Sequence, residues 1–230
     1  MLFDSHAHLN DARFDEDRDE LIKSLKEKQV DLVVNPGADI ESSISSIELS
    51  KQYDFIYAAV GVHPHDVGEI DDSAINTLRK LATENEKVVA IGEIGLDYYY
   101  DNAPREIQRQ WFKKQVELAN ELKLPIIIHD RDAHADTFEI IKNIKNSEIG
   151  CVLHCYSGSV ELAKEYIKMG CYISIPGTVT FKNNKKTSEV VREIPLEYLL
   201  IETDSPYMAP EPHRKKRNDP SLVAFVADKI

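Results

Sequence analysis

Six residues of metal-ligand type recur in order along this chain, and each closes a short apolar run that reads as a β-strand. They are His6, His8, Glu93, His129, His154 and Asp204, in the runs LFDSHAHL, VVAIGEIGL, LPIIIHDR, GCVLHCYSG and LLIETDSPY. Ligands spread over a whole sequence meet at one point only if the fold gathers distant strand ends. A (β/α)8 barrel does so, because every strand delivers its C-terminal end to one rim.

Apolar, β-branched runs bounded by Gly, Pro, Asn and Asp give eight strand candidates. These are Leu2–Leu9, Asp31–Pro36, Phe55–Val62, Val88–Ile94, Pro125–Asp130, Gly150–Tyr156, Tyr172–Gly177 and Leu199–Asp204. Helical segments such as Asp17–Lys28, Ser73–Glu84, Pro104–Leu122, His134–Ile144 and Val160–Met169 alternate with them. Repeated strand–helix alternation favours an α/β fold with a closed parallel barrel over a doubly wound sheet. Residues 1–230 fit one barrel domain. Pro220 opens a last helix with Leu222, Val223, Val226 and Ile230 on one face, and it ends early. The expectation is a shortened C-terminal helix that leaves an exposed apolar seam between the last and first strands, or a shortened chain.

The three cysteines, Cys151, Cys155 and Cys171, are too few for a disulfide framework and read as small buried residues. No apolar run approaches the roughly 20 residues that span a bilayer, and the first ligand stands too near the start for a removed signal peptide. The expected location is the cytoplasm, with no membrane contact and no obligate protein partner. A net charge of −12 argues against nonspecific coating of nucleic acid. It leaves a nucleic-acid substrate open, because bound cations and local basic clusters reverse the sign at a site.

Residues two apart in a strand project to the same face, so His6 and His8 can share one ion and Asp4 lies on their inward side as an orienting acceptor. An H-x-H pair alone is a weak signal, and a lone histidine ending an apolar run is more often structural. Four further ligand types ending other strands change that balance. A buried Glu93 is well compensated if it bridges two cations. One site would use His6, His8, Glu93 and Asp204, and the other Glu93, His129 and His154. Such mixed ligands suit Zn²⁺, Mn²⁺, Ni²⁺ or Fe²⁺, with Mg²⁺ loaded where its supply is high. Glu202 shares a face with Asp204 one step deeper, placed to orient a ligand or meet the attacking water. Asp204, Glu93 and Glu202 are therefore the catalytic candidates.

Two basic clusters of an acidic chain fall after strands seven and eight, FKNNKK (Phe181–Lys186) and HRKKR (His213–Arg217), where this fold often builds phosphate sites. Lys182, His213 and Arg214 are the expected phosphate contacts there. Arg131 shares parity with His129 one step outward, and His63 follows strand three; both are expected to face the phosphate. His65 reads as a surface residue. The run Asp97–Asp101 (DYYYD) offers tyrosines that either stack on a base or pack against the fourth helix.

The segments DSHAHL from Asp4, GVHPH from Gly61, IGEIGLD from Ile91, NAPR from Asn102, HDRDA from His129, HCYSG from His154, ETDSP from Glu202 and PHRKKRN from Pro212 resemble the TatD family of metal-dependent deoxyribonucleases. The resemblance covers nearly the whole chain. It implies the metal-dependent hydrolase barrel of the amidohydrolase-like group, with two divalent ions held by His6, His8, Glu93, His129, His154 and Asp204. It also implies phosphodiester hydrolysis in DNA, commonly as a 3′-to-5′ exonuclease preferring single strands. The chain departs from the family at Lys215, where Gly is usual, and family members continue past position 230. The competing readings are an amide, ester or lactone hydrolase and a noncatalytic metal-binding scaffold. The first commonly bridges its metals with a modified lysine where this chain has Glu93.

Overall fold

The computed structural model describes residues 1–230. Its strands are β1 (Leu2–Asp4), β2 (Val30–Pro36), β3 (Ile56–Val60), β4 (Val88–Asp97), β5 (Ile126–Arg131), β6 (Cys151–Leu153), β7 (Cys171–Ile175) and β8 (Leu199–Ile201). They pair in parallel, in sequence order, as one sheet. The helices are α1 (Arg18–Leu25), α2 (Ile40–Gln52), α3 (Ser73–Thr83), α4 (Arg105–Leu122), α5 (His134–Ile144), α6 (Val160–Lys168), α7 (Lys185–Glu193) and α8 (Val223–Ala227). The sheet closes at the C-terminal rim, where Ser5 N–H bonds Ile201 C=O (3.1 Å), Asp204 N–H bonds His6 C=O (2.9 Å) and His8 N–H bonds Ser205 C=O (2.8 Å). Barrel closure and the placement of His6, His8 and Asp204 are thus one set of hydrogen bonds.

Several strands are shorter than their apolar runs. β1, β6 and β8 stop before His6, His154 and Glu202, so these side chains stand just past the regular ladder. Beyond β1 the chain stays bonded to β2: Ala7 N–H reaches Val34 C=O, and Leu9 N–H reaches the Asn35 side chain rather than a backbone carbonyl. α2 has little apolar periodicity in sequence. It carries a capping box between Asp39 and Ser42, and its buried Ser43, Ser46 and Ser50 allow close packing on β3. The basic loop after β7 is shorter than expected, since Lys185 and Lys186 already belong to α7, capped by Asn184.

α4 shows how packing positions the site. Gln108, Trp111, Phe112, Gln115, Val116 and Ala119 recur at helical spacing and are buried. Each buried aromatic contributes about 2–3 kcal/mol. The two glutamines bond backbone rather than solvent. Gln115 brackets Val62, taking its N–H (2.7 Å) and donating to its C=O (3.0 Å). Gln108 takes the Asp97 N–H (2.9 Å) and donates to the Asp97 and Ala103 carbonyls. The helix that covers the barrel therefore also fixes the loops carrying His63 and Asp97.

The expected exposed seam is covered. Val223 and Val226 of α8 are fully buried, Val223 among Ala7, Leu9, Phe14 and Val30, so a five-residue helix suffices to shield β1 and β8. In the loop before it, Lys215 has φ +76°, in the left-handed region where a β-carbon costs about 1–2 kcal/mol and glycine is tolerated. The departure from glycine at this position is therefore a small local strain. Lys215→Gly is expected to raise stability by about 0.5–1 kcal/mol after glycine's own entropy cost, measured as a higher urea midpoint with unchanged slope.

Candidate metal centre

Glu93 is the hub of the site. β4 carries one extra residue relative to β5 between Ile91 and Ile94, and this bulge sets the Glu93 carboxylate in the barrel mouth. Next to it Gly95 has φ +146°, and a β-carbon there would lie 1.9 Å from the His129 carbonyl oxygen. Glycine is required for β4 and β5 to approach closely enough for Glu93 and His129 to meet.

The two carboxylate oxygens of Glu93 face different partners. Oε2 lies 3.3 Å from His6 Nε2 and 3.7 Å from His8 Nε2. Oε1 lies 2.9 Å from His129 Nδ1, 3.2 Å from His154 Nε2 and 3.5 Å from His63 Nε2. Asp204 Oδ1 completes the first group, 3.8 Å from His6 Nε2 and 3.4 Å from His8 Nε2, and the two imidazole nitrogens are 3.2 Å apart. Donors at 2.0–2.2 Å around a tetrahedral ion are separated by about 3.3–3.6 Å. The observed separations of 3.2–3.8 Å fit a divalent cation at this point. Asp204 adopts φ +52°, a conformation that Asp and Asn tolerate better than most residues.

Electrostatics agree with a ligand set. Burial pushes the Glu93 carboxyl up, but His154, His63, His6 and the bond from His129 hold it well below the ordinary range. Burial and the neighbouring His154 lower His6, whose ring stacks on His154 at 3.7 Å. Burial and His129 lower His63 further. Burial opposes protonation of His129, yet the bonds to Asp97 and Glu93 prevail and raise it to about 8. These imidazoles are crowded enough that like charge among them is costly, and a cation would replace their protons.

Asp97 was not singled out as a ligand-positioning residue in sequence, and it is central. It is fully buried; Oδ1 accepts the Tyr99 and Tyr100 N–H groups. Oδ2 faces His129 Nε2 (3.0 Å) and His65 Nε2 (2.9 Å). Such a carboxylate holds hydrogen on His129 Nε2 and leaves Nδ1 as the ligand atom. Asp97→Asn would offer an amide N–H to Nε2 and move the hydrogen to Nδ1. Metal affinity is expected to fall about 10- to 100-fold, read by competition with a chromophoric chelator, with the fold intact by circular dichroism. His65, expected at the surface, is instead part of this cluster.

Glu202 lies behind His154 rather than in the mouth. It is fully buried, accepts the Cys155 N–H and the Ser174 hydroxyl, and places Oε1 3.3 Å from His154 Nδ1. Its neighbours are thus backbone, the Ser174 hydroxyl and the far side of the His154 ring. Asp4 does not orient an imidazole. Its carboxyl, raised to about 8 by burial, accepts the Thr203 N–H and hydroxyl and the His6 N–H.

The mouth is a cleft of about 780 Å³ lined by His8, His63, His65, Glu93, His129, His154 and Asp204, with Arg13, Arg131, Tyr100 and Tyr207 among its walls. Arg131 is where its parity placed it. Lys182, His213 and Arg214 stand outside the lining. The Arg214 guanidinium lies on the Phe181 ring at 4.2 Å, His213 packs on Phe225 at 4.9 Å, and Lys182 is exposed before α7. Aromatic packing, on Phe181 of the first loop and Phe225 of α8, thus draws Arg214 and His213 off the site. Arg13 and Tyr207 take the cleft positions instead; each stands a few residues beyond a ligand, His8 or Asp204, which was the available signal.

Histidines and carboxylates converging on the C-terminal rim of a parallel barrel define a metal-dependent hydrolase. The description "TatD related DNase" belongs to the family profile that matches residues 3–230. An uncharacterized metal-dependent hydrolase of Bacillus subtilis, YabD, is 47% identical over all of this chain and 90% of its own length. An uncharacterized metal-dependent hydrolase of Escherichia coli, YcfH, is 37% identical over 99% of this chain and 86% of its own length. The crystal structure of YjjV, a TatD homolog from Escherichia coli, superposes with a TM-score of 0.93 at 30% identity, covering 99% of this chain and 88% of that one. The chain belongs to the TatD family of metal-dependent hydrolases. No helix is long and apolar enough to cross a membrane.

Proposed function

We propose that this protein hydrolyses phosphodiester bonds of DNA, releasing nucleotides from the 3′ end of single strands, at a centre of two divalent ions. The observation that carries this reading is the division of the Glu93 carboxylate. One oxygen faces His6, His8 and Asp204's group, the other His129, His154 and His63. A single ion would need only three protein ligands and an open position.

Bound ions there would polarise a phosphoryl oxygen and lower the pKa of the attacking water. The chain's own residues supply the rest. Glu93 fixes the spacing of the two donor groups. Asp204, at the rim beside His8, is placed to accept the proton of the attacking water. Asp97 and Glu202 hold His129 and His154 in orientation. Arg131 has no carboxylate within salt-bridge distance and is free to balance phosphate charge in the cleft of an acidic chain, whereas Arg13 is already paired with Asp11 (2.8 Å). The family description as DNase supports phosphodiester over carboxyl substrates.

The test is nucleotide release from 3′- and 5′-labelled single-stranded DNA with Mg²⁺, Mn²⁺ or Zn²⁺ supplied. Metal-dependent stepwise loss from the 3′ end is the expected result. Release of internal fragments, or cleavage of lactones and not DNA, would replace this reading.

A further inference from the structure

Two arginine–tyrosine stacks flank the ligand cluster. On one side the Arg131 guanidinium lies over Tyr99 (4.1 Å) and Tyr100 (4.7 Å), and Tyr100 meets His65 edge-on at 5.3 Å. On the other the Arg13 guanidinium lies over Tyr207 (4.1 Å), whose ring meets His8 at 6.3 Å. The first stack therefore adjoins the His129 group of donors and the second the His8 group, with Glu93 between them.

The tyrosines are open to solvent, 58%, 55% and 46% for Tyr99, Tyr100 and Tyr207. Ordinary packing against α4, the alternative use of the tyrosine run, accounts for Tyr98, which bonds Asp136 and Arg109, but not for its two successors. The backbone of Tyr99 and Tyr100 is nonetheless rigid, because both N–H groups are held by Asp97. Exposed aromatic faces, each held beside a guanidinium, make stacking platforms. The unpaired Arg131 adds a phosphate contact to the first, whereas Arg13 is held against Tyr207 by its pair with Asp11 (2.8 Å).

We propose that the two stacks are base-holding positions for single-stranded DNA, one on each side of the scissile phosphate. This rests on the phosphodiesterase reading above and adds to it the residues that select unpaired strands. A base held in a duplex keeps its faces on its neighbours and cannot stack on Tyr99, Tyr100 or Tyr207, so these positions discriminate against double strands.

The test uses the Mn²⁺-loaded full chain and a fluorescein-labelled phosphorothioate oligothymidylate, which resists hydrolysis, followed by anisotropy. Tyr99→Ala/Tyr100→Ala and Tyr207→Ala are each expected to weaken binding by about 10-fold or more. The matching Tyr→Phe changes should restore it, since the ring face is kept. Arg131→Ala should weaken binding and flatten its salt dependence by roughly one charge, whereas the tyrosine changes leave that slope alone. Wild-type affinity in both alanine variants, or loss that phenylalanine does not repair, would overturn the proposal. Cleavage of ordinary oligothymidylate is run alongside. Cutting with wild-type KM in the alanine variants sinks the stacking positions and leaves the nuclease. Tyrosine-dependent binding without any cutting sinks the nuclease and leaves the binding surface.

Discussion

Glu93→Ala is expected to lower turnover by at least about a thousandfold, some 4 kcal/mol of transition-state stabilisation. The size follows from the position: no other carboxylate lies within 3.7 Å of both His6 or His8 on one side and His129, His154 or His63 on the other. Removing it separates the two donor groups and leaves five clustered imidazoles without their shared anion. A second readout does not depend on substrate. A divalent ion that binds the folded chain raises its melting temperature by mass action, so Mn²⁺ or Zn²⁺ should stabilise the wild type by several degrees and Glu93→Ala hardly at all. A variant that keeps both the metal-induced shift and near-normal turnover would remove Glu93 from the centre.

Asp204→Asn should also abolish turnover, by about a thousandfold, but with the fold retained. Asn is among the few residues that accept φ near +52°, so the backbone bond from Asp204 N–H to His6 C=O, which helps close the barrel, survives the change. What is lost is the charge beside His8 and the proton acceptor. The melting temperature without metal is expected to stay within about 2 °C of wild type. A large drop would show Asp204 acting chiefly in barrel closure, and near-normal kcat would take it out of the chemistry.

Most of the architecture was legible because its signals are local. Eight apolar runs with breakers between them specify parallel strands, and helices such as His134–Ile144 follow from periodicity alone. α2 was not, since its buried serines carry no apolar stripe and its helix is secured by a capping box and by close packing on β3. The loops after β7 and β8 misled for a different reason. Charge density placed Lys182, His213 and Arg214 at the site, whereas Arg214 lies over Phe181 and His213 packs edge-on against Phe225, away from it.

The sequence by itself determined the ligand types, their order and the strand ends that carry them, because a strand's direction and a side chain's parity are properties of a few consecutive residues. Only the tertiary structure decided how those ligands share their atoms. That Glu93 divides its oxygens, that Asp97 rather than Asp4 orients an imidazole, and that Glu202 stands behind His154 depend on separations between residues far apart in the chain. Those separations are set by a bulge in β4, a glycine that lets β5 approach, and backbone bonds across the β1–β8 seam. Hydrogen bonds and metal coordination discriminate over tenths of an ångström, a scale at which packing and not local pattern fixes position.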